Sequence, residues 1–138
     1  MVNKKDCIFC NILKGKAPCT KIYEDKKTFS FLDINPVVKG HTLVIPKKHY
    51  ETMDQMDKET ANAVISTTQK IGKAILKFNE GYNVNQNNNS AAGQLVPHVH
   101  YHVIPRNEGD KLKCTWENLK LTDEEVNSLK QKIIKLLK

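Results

Sequence analysis

Three of the five histidines in this 138-residue chain, His98, His100 and His102, alternate with Val99, Tyr101 and Val103. Extended backbone turns every second side chain to the same face, with roughly 6.5 Å between them. A strand here therefore places three imidazoles side by side. A single strand histidine is ordinarily a satisfied or exposed polar residue; three in strict alternation, directly after a polar loop that contains Gly93, form a chemical array. The spacing permits two chemistries. Three imidazoles can hold a catalytic zinc with a fourth position open to water. Alternatively, one imidazole can attack phosphorus through a nucleotidyl-histidine while its neighbours orient it and protonate the leaving atom. A second group lies at the N-terminus, where Cys7 and Cys10 have the C-x-x-C spacing of two thiolates from one turn. Two thiolates are half of a tetrahedral zinc site. Two small buried residues would serve equally as packing, and the βαβ setting of a redox dithiol is absent.

Positioning such an array requires a sheet. Residues 8–13 are apolar and closed by Gly15 and Pro18, which predicts a short helix. Segments 21–24 and 28–32 are strand-like around the polar turn Asp25-Lys26-Lys27, and a third strand over 41–45 stops at Pro46. From Asp57 the period changes. Ala61, Val64, Thr68, Ile71, Ile75 and Phe78 recur at steps of three and four along one helical face. Residues 82–86 and 99–104 read as the fourth and fifth strands, with the polar loop 87–93 before the triad. Five strands with one long helix between the third and fourth predict an α+β fold, a mostly antiparallel meander with the helix packed on one face. Thr122 and Glu125 form a capping box ahead of an amphipathic C-terminal helix whose stripe is Val126, Leu129, Ile133, Leu136 and Leu137.

Composition narrows the class. No apolar run approaches the roughly 20 residues of a membrane helix, and the first residues, Met1 to Asp6, are too polar for a secretory h-region, so a cytoplasmic location is expected. Cys7, Cys10, Cys19 and Cys114 are expected as reduced thiols, because a domain of this size has a core and needs no disulfide framework. The formal charge of +7 favours anionic ligands. Its lysines are dispersed, which speaks for a solvated surface and against a dedicated nucleic-acid face.

The stretch Gly93-Gln94-Leu95-Val96-Pro97-His98-Val99-His100-Tyr101-His102-Val103-Ile104-Pro105-Arg106 closely resembles the signature of the histidine triad family. So, in the same order, do Cys7-Ile8-Phe9-Cys10, Phe31-Leu32-Asp33-Ile34 and Gly40-His41-Thr42-Leu43-Val44-Ile45-Pro46-Lys47-Lys48-His49. The resemblance covers roughly 6–108. It implies a domain over 1–108 of the histidine-triad type and a C-terminal extension over 109–138.

The resemblance implies that His100 attacks the α-phosphorus of a purine nucleotide and that His102 bonds the phosphate and the leaving group. His41 matches a further active-site position behind the reacting imidazoles, and His98 a support residue. Asp33 would hold the ribose hydroxyls, Ile34 would pack on the base, Asn87 would reach the phosphate end, and main-chain donors around Gly93 and Gln94 would approach the α-phosphate. Leu95 departs from the pattern, standing where several eukaryotic members have serine or threonine, so only its backbone amide can contribute. Bacterial-type members complete the cysteine pair with two histidines, here His49 and His98, giving a structural zinc on Cys7, Cys10, His49 and His98. No organic cofactor is implied. The expected protein is a homodimer that binds an AMP-like ligand and cleaves nucleoside phosphoramidates. Hydrolysis of dinucleoside polyphosphates, or nucleotide binding in a regulatory or scaffold role, are the alternatives.

Overall fold

The computed structural model describes residues 5–113 and 115–137; Cys114 lies outside them. Its elements in chain order are α1 (Ile8–Leu13), β1 (Lys21–Glu24), β2 (Thr28–Leu32), β3 (Thr42–Pro46), α2 (Lys58–Ile75), β4 (Gly81–Gln86), β5 (Tyr101–Arg106) and α3 (Asp123–Leu136).

Local chemistry explains most boundaries. Cys7 caps α1, its Sγ accepting from the Cys10 amide at 3.5 Å, and Gly15 follows at φ +69, a left-handed conformation that closes a helix at little steric cost to glycine. In the β1–β2 turn, Asp25 Oδ1 accepts from the amides of Lys27 and Thr28 at 2.9 and 2.8 Å, an aspartate turn that fixes the hairpin. Asp57 caps α2 through the Thr60 amide. The helix closes at Ile75, so Phe78 lies beyond its end and is 70% exposed, outside the buried stripe of Val64, Thr68, Ile71 and Ile75. The capping box of Thr122 and Glu125 opens α3.

All strand pairs are antiparallel, in the order β1-β2-β3-β5-β4. This departs from a simple meander at one place. An 18-residue helix spans roughly 27 Å, enough to carry the chain back along the sheet, so β4 runs parallel to β3 with a slot between them. β5 fills that slot.

The two faces of the sheet bury different clusters. Val44, Val99, Tyr101 and Val103 pack against Val64, Ile71 and Ile75 of α2. Phe29, Phe31, Leu43 and Ile45 pack against Phe9, Cys10 and Ile12 of α1. Leu43 is the register partner of His102, which places that imidazole on the α1 side. No residue of α3 is buried, and its stripe stays open in the single chain, with Leu129 47% and Ile133 57% exposed.

One close approach is testable. A Cβ built on Gly72 would lie 2.4 Å from Tyr82 Cζ, so α2 seats against β4 only because position 72 lacks a side chain. Gly72→Ala is expected to destabilise by about 1 kcal/mol, because displacing the ring costs about 1 to 3 kcal/mol and alanine's better helix propensity returns about 1. In a Tyr82→Ala background the same change should stabilise. Urea unfolding of the four proteins measures that reversal of sign.

Candidate active site

Asp33 and Ile34 at the end of β2, His41 ahead of β3, Leu95, His100 ahead of β5 and His102 within it line one cleft of about 420 Å³, floored by Phe31 and Leu43 and walled by Ile8 and Phe9 of α1. Its size suits a small organic ligand. The ladder of β5 begins at Tyr101 rather than at residue 99, because the Val99 amide is taken by Tyr50 O at 2.7 Å and the His98 amide by Val96 O at 2.8 Å. His98 and His100 therefore precede the strand. Phe9 touches both rings, at 5.8 and 5.2 Å between centroids, and His100 lies 4.9 Å from His102.

Hydrogen-bond partners assign each ring a tautomer. His100 Nδ1 lies 2.7 Å from His98 O. A carbonyl only accepts, so Nδ1 carries the proton and Nε2 keeps its lone pair. The Val37 amide donates to His41 Nδ1 at 3.2 Å, which puts the His41 proton on Nε2; that N–H donates to His102 Nδ1 at 2.8 Å. His102 consequently carries its proton on Nε2. The site thus holds one imidazole with a lone pair to give and one with a proton to present.

Asp33 Oδ2 lies 3.5 Å from His41 Nε2 and 4.0 Å from His102 Nδ1, while its Oδ1 accepts from the Asn35 amide. Burial lowers His100 and His41 from the ordinary histidine value, against the opposing pull of the His98 carbonyl on His100 and of Asp33 on both. Burial, and then the neighbouring His100 and His41, push His102 down to about 4. All three shifts favour the neutral ring, the form a nitrogen nucleophile requires.

His98 faces elsewhere. It is fully buried, its Nε2–H donates to Pro46 O at 2.9 Å, and burial pushes it down to about 4. Its Nδ1 points at Cys7 Sγ (3.5 Å), Cys10 Sγ (3.6 Å) and His49 Nδ1 (3.2 Å), and Cys10 Sγ lies 3.3 Å from His49 Nδ1. A zinc held by His98, His100 and His102 together is therefore overturned by the geometry, since the three rings share no focus. The Cys7–Cys10–His49–His98 group does share one. A tetrahedral ion with bonds of about 2.0 to 2.3 Å requires ligand atoms roughly 3.3 to 3.8 Å apart, close to the separations found. Asp33, His41 and His102 also lie close together, but a proton occupies the space between the two imidazoles, and the Val37 amide claims the nitrogen to which it would have to move. That cluster is a hydrogen-bond chain, not a metal cage.

The polar loop before the triad differs from expectation. Gly93 N is engaged by Ser90 O at 2.9 Å and Gln94 N by Asn89 O at 3.2 Å, and the Gln94 side chain ties the Glu51 carbonyl to the Asn89 amide. Neither main-chain donor is open to a phosphate. Among the described residues the Asn87 side chain reaches only Gly93 O, at 3.5 Å, and Asn87, Gly93 and Gln94 stand in the loop leading to the cleft rather than in its lining. Among the described residues the Leu95 amide makes no main-chain bond, which leaves a backbone donor open at a position whose side chain has none. Asn89 holds φ +68 and ψ 160, a conformation otherwise nearly confined to glycine. Sequence reasoning missed Val37, whose amide sets the tautomer chain; any residue carries an amide, so no signal marked it.

A family model for the HIT domain matches residues 14–109. The adenosine 5'-monophosphoramidase of Schizosaccharomyces pombe is 42% identical over 133 residues, covering 96% of this chain and 98% of that protein. Among solved structures, a HIT family protein from Bacillus anthracis superposes with a TM-score of 0.88 at 39% identity, covering 96% of this chain and 98% of that one. A zinc-bound histidine triad family protein from Mycobacterium smegmatis gives a TM-score of 0.76 at 36% identity, covering 97% of both chains. The match spans every strand of the sheet and includes the imidazole array, and the chain belongs to the histidine triad, or HIT domain, family.

Proposed function

We propose that this protein is a nucleotide hydrolase of the phosphoramidase type, acting at the α-phosphorus of purine nucleoside phosphoramidates and releasing AMP. The observation that carries this is the pair of opposed tautomers, with His100 Nε2 bearing a lone pair and His102 Nε2 a proton within one cleft. His100 Nε2 forms a bond to phosphorus as the phosphorus–nitrogen bond of the substrate breaks. His102 bonds the phosphate and the departing amine, and water then cleaves the nucleotidyl-histidine. Asp33 accepts from the ribose diol, Ile34, 78% exposed at the rim, packs on the base, and the Leu95 amide serves the phosphate.

In this reading the catalytic domain is 1–108, with 109–138 an extension. Cys7, Cys10, His49 and His98 hold a structural zinc, which would tie α1 to the ends of β3 and β5; the edge separations support it. The protein is a cytoplasmic homodimer, supported by open apolar side chains on the edge strand, Val84, and along α3. Nucleic acid and membrane are not its partners, and no helix among the described residues is long and apolar enough to cross a bilayer.

The test is turnover. Adenosine phosphoramidate should be hydrolysed with kcat/KM at least tenfold above that for a diadenosine polyphosphate, with AMP as product. AMP should compete, and its 2′,3′-dideoxy analogue should compete about 5- to 150-fold less well, the equivalent of 1 to 3 kcal/mol for leaving the Asp33 carboxylate without its diol. Negligible turnover with tight AMP binding would replace the enzyme by a nucleotide sensor.

A further inference from the structure

The lone pair on which His100 depends is set by a carbonyl that the sheet does not hold. His98 O, which accepts from His100 Nδ1 at 2.7 Å, lies three residues ahead of the first ladder residue, Tyr101. Its residue is held instead at other points: its amide to Val96 O, the following amide to Tyr50 O, and its ring, by Nε2 to Pro46 O and by Nδ1 to the cysteine cluster. The last attachment is the unusual one. His98 Nδ1 has a single lone pair and three polar neighbours at 3.2 to 3.6 Å, and one lone pair accepts one hydrogen bond. Protons alone can satisfy this contact in several competing ways. A cation at the shared focus satisfies it in one.

We infer that metal occupancy of the Cys7–Cys10–His49–His98 cluster positions the nucleophile, with His98 as a positioning residue that carries the constraint from its ring, through its own main chain, to His100. This rests on the reading of the cluster as a zinc site, and it goes further, since a purely structural zinc would leave the orientation of His100 unchanged. With the ring pinned, the His98 carbonyl faces His100 Nδ1–H and Nε2 points into the cleft. With the cluster empty, the ring and carbonyl sample alternatives, and His100 spends time with its proton on Nε2, where it cannot attack. The ribose and base contacts at Asp33 and Ile34 lie on a different segment and are indifferent to the change.

The experiment compares zinc-loaded protein, protein stripped with a strong chelator and protein reloaded with zinc. Stripping should lower kcat for adenosine phosphoramidate at least tenfold while KM and the Kd for AMP change less than threefold, and zinc should restore kcat. Nitrogen-15 NMR of the His100 ring should show protonated Nδ1 and bare Nε2 when loaded, and averaged tautomers when stripped. If stripping unfolds the protein, seen as lost AMP binding, exchange of zinc for cadmium, with its longer bonds, should alter kcat and the His100 nitrogen shifts at constant AMP affinity. One zinc per chain with kcat and His100 tautomer indifferent to both treatments overturns the inference and leaves the zinc site standing. Protein that neither contains nor takes up zinc overturns both.

Discussion

Replacing His100 by asparagine is expected to lower kcat for adenosine phosphoramidate by at least about 10⁴-fold, some 5 kcal/mol of transition-state stabilisation at 1.36 kcal/mol per decade. The loss is large because in the proposed reaction the imidazole supplies the electron pair that opens the covalent route, and neither neighbour can replace it. His102 Nδ1 is engaged by His41 Nε2–H and its Nε2 carries a proton, while both nitrogens of His98 are committed elsewhere. Asparagine retains an N–H that can reach the His98 carbonyl, so the substitution removes the lone pair with little disturbance of the buried strand lead-in. AMP affinity should stay within about threefold, since Asp33, Ile34 and the Leu95 amide are untouched. Retention of kcat within tenfold of wild type would reassign the nucleophile.

The second large effect concerns metal. Protein purified without a histidine tag should contain close to one zinc per chain by elemental analysis, and Cys10→Ser should lose most of it. The binding free energy of a closed thiolate and imidazole shell is also folding free energy. Here such a shell would join α1, the turn after β3 and the lead-in to β5, three segments otherwise distant in sequence. Losing one thiolate is expected to remove several kcal/mol, which in a domain of this size lowers Tm by at least about 10 °C. Calorimetry of wild type and variant, with and without chelator, checks it. A chelator-insensitive melting curve, the same for both proteins, would leave the cysteines as packing residues.

Much of this was legible before the structure, and what was not has physical reasons. The first two strands, the apolar stripe of α2 and the capping box of Thr122 and Glu125 followed from local periodicity and turn chemistry, which depend on neighbours in sequence. The strand order did not, because the insertion of β5 between β3 and β4 is a long-range pairing to which no local pattern points. The alternation of His98, His100 and His102 marked the site, yet not where each ring turns, since the ladder starts only at Tyr101 and the amides before it bond to Tyr50 and Val96. Gly93 and Gln94 looked like phosphate donors by type, and the structure engages their amides in the tight turn around Asn89. Phe78 continued the helical period beyond the residue at which the helix stops.

The central slot filled by β5 also bears on how the chain is made. Synthesis proceeds from the N-terminus, and β1 to β4 together with α2 emerge first. Until residue 106 has left the ribosome, β3 and β4 each present an inner edge of unpaired amides and carbonyls with nothing between them. Such edges are templates for pairing with other chains. The segment that closes them is the one bearing His100 and His102, so the nascent chain stays vulnerable to intermolecular pairing until the moment those two imidazoles are threaded into place.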